Sequence, residues 1–254
     1  MHARPYVLAE ANWKTVKDTR YEVAILPWGA TEPHNFHLPY GTDVYETRHL
    51  SERIAEYAWN KGAKVVTLPT VPFGVNTGQL DLRLAINMNP STQFAVLSDV
   101  ASAISGQGVR KLVILNGHGG NDFKQMIREL QPKLDLFICT VNWWTCIKAT
   151  EIFDEPGDHA GEMETSLMMT LEPDLPLPLK EAGPGKGRKF RIAALRDGWA
   201  WAPRQWTKVT DDTGTGNPYA ATVEKGEKFL KAVTERVGGF LVDLAAADLN
   251  NMYE

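Results

Sequence analysis

Four short, almost wholly apolar runs, each of the first three followed by a longer amphipathic stretch, constrain this chain more than any other feature. They are residues 21–26 (YEVAIL), 63–68 (AKVVTL), 111–115 (KLVIL) and 134–141 (LDLFICTV). A strand with one face in water alternates apolar and polar residues, whereas one covered on both faces has no need to. The first two runs end at prolines, Pro27 and Pro69. Helical spacing fills the gaps. A helix is predicted over 43–60, capped by Thr42, with Val44, Leu50, Ile54 and Tyr57 on one side and a stop at Gly62. Two more are predicted over 92–105 and 122–130. Strands separated by helices imply right-handed crossovers and a parallel sheet. The expected fold is α/β: three layers, a mainly parallel sheet with helices on both faces, in one domain spanning 1–254. A final helix, from residue 220 to about 249, should cover one face, with Gly238 and Gly239 kinking or dividing it. Residues 173–217 are rich in proline and glycine and lack periodicity; so long an irregular stretch reads as a lid or an oligomer contact.

Composition narrows the function. The 254 residues are 43% apolar, enough for a sizeable core. The net charge of −4 comes from interspersed acids and bases with no basic stripe, which argues against nucleic acid as a partner. No 18-residue apolar run offers a membrane span, and the first fifteen residues, interrupted by Pro5, lack a signal-peptide core. Two cysteines, Cys139 and Cys146, make no disulfide framework, so a reducing, cytoplasmic setting is expected.

In open parallel sheets, ligands bind beyond the carboxyl ends of the strands. Three segments put metal-ligand residue types there. After the first strand comes GATEPHNFH (29–37), where Glu32 and His34 point the same way if the segment is extended, and Asp43 follows in the first helical turn. One imidazole with two carboxylates suits Zn²⁺ or Mn²⁺. A plain polar loop, with an aspartate favoured at a helix N-terminus, would look the same. After the third strand comes NGHGGN (116–121). Its glycines, Gly119 and Gly120 among them, allow close approach to a bound molecule, and His118 could be ligand or base. The same segment also reads as a glycine-rich turn with Asn121 capping a helix. Beyond the fourth strand comes DHAGEMETS (158–166). His159 and Glu162 share a face if helical; Glu164 joins His159 only if the chain turns at Gly161 and the helix starts after it. An acidic helix start accounts for these residues equally well. The coincidence is the stronger signal: four of the six histidines, His34, His37, His118 and His159, fall in these three segments.

Together the segments resemble a known family. GATEPHNFHLPYGTD resembles the first motif of the creatininase (creatinine amidohydrolase) family, close to G-[ST]-T-E-Q-H-G-P-H-L-P-x-x-T-D. NGHGGN matches its second motif, and HAGEMETSLMM resembles its third, H-A-G-x-x-E-T-S. Order and separation agree over residues 24–171, and NPYAATVEKGEKFL extends the likeness to the last helix. The resemblance implies a creatininase-like α/β fold and a hydrolase that cleaves a small or cyclic amide C–N bond with a metal-activated water. It implies two divalent ions per chain, zinc, manganese or iron. Carried over by position, Glu32, Asp43 and His118 would hold one metal. His34, Asp43 and a further carboxylate would hold the other, and His159 would pass a proton to the leaving nitrogen.

Two departures stand out. Creatininase takes its last carboxylate ligand from two residues after the second-motif histidine, where this chain has Gly120. The family glutamate of the third motif falls on Glu164, which is expected to replace it, with Glu162 as second choice. The family's P-G-T-[IL]-[ST]-L is replaced by residues 83–88 (RLAINM), so creatinine itself is not the expected substrate. Trp144 resembles a tryptophan lining the creatininase pocket, though a core role would fit it as well. Trp199, Trp201 and Trp206 are expected to close the site or to meet another subunit. By resemblance the protein is a homo-oligomer, a hexamer in creatininase, acting on a small molecule. The rival expectations are a ring-opening hydrolase of a keto-inositol and a non-catalytic metal- or ligand-binding homologue.

Overall fold

The computed structural model describes residues 3–254. Strands β1 (Val23–Trp28), β2 (Val65–Thr67), β3 (Lys111–Asn116) and β4 (Phe137–Asn142) form one parallel sheet in the order β2-β1-β3-β4. The helices are α1 (Trp13–Lys17), α2 (Thr42–Asn60), α3 (Pro90–Gly106), α4 (Lys124–Leu130), α5 (Glu162–Leu171), α6 (Ala193–Arg196), α7 (Trp206–Val209) and α8 (Val223–Ala246). Side chains alternate across the sheet and feed two cores. Val23, Ile25, Val65, Val113 and Leu115 pack with Leu50 and Ile54 of α2, Leu167 of α5 and Phe229 of α8. Ala24, Leu26, Val66, Leu112 and Ile114 pack on the opposite side with Leu97 of α3 and Met126 of α4. Both faces are covered, which is why the strands read as unbroken apolar runs. This is the expected α/β fold, a parallel sheet with helices on both faces.

Several boundaries differ for identifiable reasons. Pro27 lies inside β1, opposite Leu115. In a parallel strand a residue's N–H and C=O face the same neighbour. The Pro27 carbonyl accepts from Val71 N at 2.9 Å, on the side where β2 has already ended, so the missing N–H removes no ladder bond. Thr42 is the first residue of α2 rather than its cap: Gly41 takes that position and the Thr42 hydroxyl donates to Pro39 O at 2.7 Å. Asn121 caps no helix, since its side chain accepts from Val75 N and Gln93 and donates to Asn116. The Gly238–Gly239 pair does not divide α8, which runs unbroken; a Cβ at Gly238 would lie 2.5 Å from the Tyr57 ring, so close approach to α2 accounts for that glycine. Residues 173–217 are irregular apart from a single helical turn and the short α6 and α7, with Trp206 buried and Trp199 and Trp201 exposed. Among the described residues no helix is long and apolar enough to cross a membrane. The segments after β1, β3 and β4 meet at the carboxyl edge of the sheet.

Candidate metal centre

Glu32 and His34 follow β1, Asp43 sits in the first turn of α2, His118 follows β3, and His159 and Glu164 flank the start of α5. All are buried except Glu164, which is nearly so. His34 Nε2 lies 2.9 Å from Asp43 Oδ1. His118 Nδ1 lies 2.8 Å from Glu32 Oε1 and 3.0 Å from Asp43 Oδ2. His159 Nδ1 is 3.9 Å from Glu32 Oε1, and its ring stacks on His34 with centroids 4.1 Å apart. Ligand atoms within 4.8 Å of one another form three sets: Glu32, Asp43 and His118; His34, Asp43 and Glu164; and Glu32, His34 and His159. Asp43 belongs to the first two.

The outer nitrogen of each imidazole meets a backbone carbonyl. His34 Nδ1 is 3.0 Å from Glu32 O, His118 Nε2 is 3.1 Å from Val75 O, and His159 Nε2 is 3.0 Å from Pro33 O. A carbonyl only accepts, so these nitrogens carry the proton and a neutral ring turns a lone pair inward. The inward nitrogens of His34 and His118 face carboxylate oxygens, which are also acceptors, so a proton or a cation must lie between them. Without metal, protons serve. Burial opposes charge on His34, but Asp43, backed by Glu164 and Glu32, holds its pKa up at about 10. His118 is likewise held well above its usual value: burial lowers it, and Glu32 and Asp43 outweigh burial. Burial would raise Asp43, yet His34 and His118 keep it well below the carboxylate range. Mixed imidazole and carboxylate donors, each histidine oriented by an outer hydrogen bond, fit a divalent transition metal.

The third motif resolves by where α5 begins. Gly161 caps the helix after Ala160, which has φ 51°, so Glu162 and Glu164 both fall in the first turn but face different ways. Glu162 turns from the centre: it receives Lys225 Nζ and the Glu155 N–H, the latter at 2.8 Å. Glu164 receives the Ala160 N–H and joins His34 and Asp43. His159 precedes the helix, bridged to Thr215, so it and Glu162 do not share a helical face.

A family model for creatininase, creatinine amidohydrolase, matches residues 9–241. The chain belongs to the creatininase family. In structure it is similar to a Bacteroides fragilis protein named as a provisional creatinine amidohydrolase, 44% identical over 100% of both chains with a TM-score of 0.93. A manganese creatininase, 21% identical over 95% of this chain and 99% of the other, shares the fold with a TM-score of 0.78. Relatives by sequence include the creatinine amidohydrolase of Pseudomonas putida, 26% identical over 60% of this chain and 65% of that protein, just under two thirds of its length. The mycofactocin precursor peptide peptidase of Mycobacterium ulcerans is 23% identical over 92% of this chain and 91% of the relative. The 3-dehydro-scyllo-inosose hydrolase of Thermotoga maritima is 24% identical over 60% and 51%.

Further residues shape the surroundings of the centre. A side chain at position 120 has no room: its Cβ would lie 2.2 Å from Val75 O and 2.5 Å from His118 Nε2. Gly119, Gly120 and the half-buried Trp144 line a cavity of about 350 Å³ over the centre, with Trp206 on its far wall 4.7 Å from the His159 ring. Trp199 does not reach that cavity; Trp201 does. His37, grouped with the others by sequence, stays outside the centre; its Nε2 contacts Thr165 Oγ1 at 2.9 Å, and burial, then His34, push its pKa down to about 4. Two residues escaped the sequence reading. Gln79 donates to Glu32 Oε2 from the cavity wall. Glu46, one turn beyond Asp43, is fully buried with neither carboxyl oxygen hydrogen-bonded. The i, i+3 spacing from Asp43 was the signal for Glu46; for Gln79 there was none.

Proposed function

We propose that this protein hydrolyses the C–N bond of a small or cyclic amide, with Glu32, Asp43 and His118 holding one divalent ion and His34, Asp43 and Glu164 the other. The carrying observation is the common arrangement of the imidazoles: outer N–H on a backbone carbonyl, inner nitrogen toward shared carboxylates. Zinc, manganese or iron bound there would polarise a carbonyl oxygen and acidify a water toward neutral pH. His159 is the proton carrier. Its Nε2 is committed to Pro33 O, which leaves Nδ1 to take up a proton and return it to the leaving nitrogen. Gln79 fixes Glu32, while Trp206 shields one face of His159 from water. Trp144, Gly119 and Gly120 form the wall against which the substrate lies.

Creatinine is not the substrate in this reading. Residues 83–88 carry an exposed Leu84 at φ 61° and an Ile86 bridged to Thr31, just ahead of Glu32. Exposed Trp199 and Trp201 support a homo-oligomer, and the free thiols Cys139 and Cys146 suit a reducing cytoplasm.

The test is turnover by metal-loaded enzyme on a panel of cyclic amides, formamides, creatinine and keto-inositols. The expected result is amide hydrolysis with creatinine poorly used, and a kcat lower by about 10²–10⁴ in His159→Gln. Ring opening of a keto-inositol without amide cleavage would replace the reaction assigned here. Metal binding without any turnover would make the protein a binding homologue.

A further inference from the structure

Beyond residues 201–204, which form one wall of the buried cavity, lies a second and larger recess of about 1400 Å³. Lys186, Arg188, Lys189 and Arg191, four cations within six residues of a chain whose net charge is −4, line it. Arg204 faces it from the shared wall, and Glu155 is its one carboxylate. Two of these cations are already neutralised: Arg188 pairs with Asp211 and Arg204 with Asp158, each at 2.5 Å. Lys186, Lys189 and Arg191 have no carboxylate partner among the described residues. An exposed cationic run on a plain surface would be solvated and repel itself outward. This run is exposed too, but it lines a concave space that shares residues 201–204 with the cavity over the metal centre. Arg204 also ties the two compartments together: its guanidinium lies 4.8 Å from the Trp206 ring, which packs on His159, and its ion-pair partner Asp158 adjoins His159.

We propose that the substrate of this site carries an anionic group, a carboxylate or a phosphate. That group sits in the recess against Lys186, Lys189 and Arg191 while the scissile bond lies over the metal centre. The inference rests on the amide-hydrolase reading for the reaction but not for the anion site. Charge-assisted bonds from Lys and Arg are the strong ones for such groups. Since they contact a part of the substrate remote from the reacting bond, they act on binding in ground and transition state alike and show in KM rather than kcat.

The experiment uses full-length, metal-loaded protein and pairs of amides that differ only in bearing a carboxylate, a phosphate or a neutral methyl ester. Wild type should prefer an anionic member by about tenfold to a hundredfold in kcat/KM, with the preference shrinking as salt is raised. Lys189→Ala/Arg191→Ala should lose the preference through KM, and Lys189→Arg/Arg191→Lys should keep most of it. Whichever anion gains more identifies the group. Binding of inorganic phosphate and of glutarate, read by calorimetry on wild type and the alanine double variant, needs no turnover. If no amide is cleaved but the double variant loses anion binding, the reaction assignment fails and the recess stands. If amides are cleaved with no anionic preference and the double variant binds both anions as wild type does, the recess is overturned and the reaction stands.

Discussion

Glu46 sits among charges of its own sign. Burial first, then Glu164 and Asp43, push its pKa well above the usual value, so without metal the folded state favours its neutral form. Unfolded, it titrates near 4.3. From there upward the folded state holds the proton that the unfolded state has lost, so stability falls as pH rises until the buried carboxyl itself ionises. Glu46→Gln removes that slope. In metal-free protein, urea midpoints at pH 5 and pH 8 should show the glutamine variant gaining on wild type as pH rises; a difference independent of pH would contradict this. Glu46 also shows what one residue's identity leaves unsaid. Its spacing from Asp43 was visible in the sequence, but the second like charge beside it, Glu164, arrives from another helix. The family motif put Glu164 ahead of Glu162; residue spacing alone left the start of α5 open, which the left-handed Ala160 and the cap at Gly161 fix.

Among the elements, α5 and α8 are pressed together where the third motif ends. A Cβ at Gly226 of α8 would lie 2.1 Å from Ser166 O and 2.6 Å from Ser166 C, both backbone atoms of α5. Gly226→Ala therefore pushes the helices apart, and overpacking of this kind costs about 1–3 kcal/mol or more. Thermal unfolding should fall by about 2–4 °C per kcal/mol in a chain of this size. An unchanged midpoint would mean that the helices do not meet this closely. The strands were legible because burial on both faces leaves an apolar run. Helix ends were less so: Thr42 bonds back to Pro39 instead of capping, and Asn121 is drawn to Val75 and Gln93 by tertiary contacts that no local pattern announces. Pro27 looked like a terminator because the early end of β2, which frees it from the ladder, is not written near it.

At the scale of the molecule, the sheet brings three distant segments to one edge, and their chemistry becomes a site only there. The three motifs made that convergence readable: each segment alone has a plain structural use, but the coincidence of all three beyond buried strands does not. Residues 173–217 were not readable in the same way: their Trp206 reaches His159 while Trp199 stays in solvent, a split that sequence spacing does not encode. The central claim is the pair of metal positions sharing Asp43, with Glu164 completing the second. The direct measurement is elemental analysis of purified protein after metal-supplemented expression, for wild type, Glu164→Ala and Glu162→Ala. The arrangement predicts about two divalent ions per chain in wild type, as a two-metal centre requires, and about one in Glu164→Ala. Glu162→Ala should keep both while unfolding at lower temperature, because it leaves the Glu155 N–H without its acceptor and takes from Lys225 one of its two carboxylate partners. Wild type without transition metal, or loss of one ion from Glu162→Ala in place of Glu164→Ala, would contradict it.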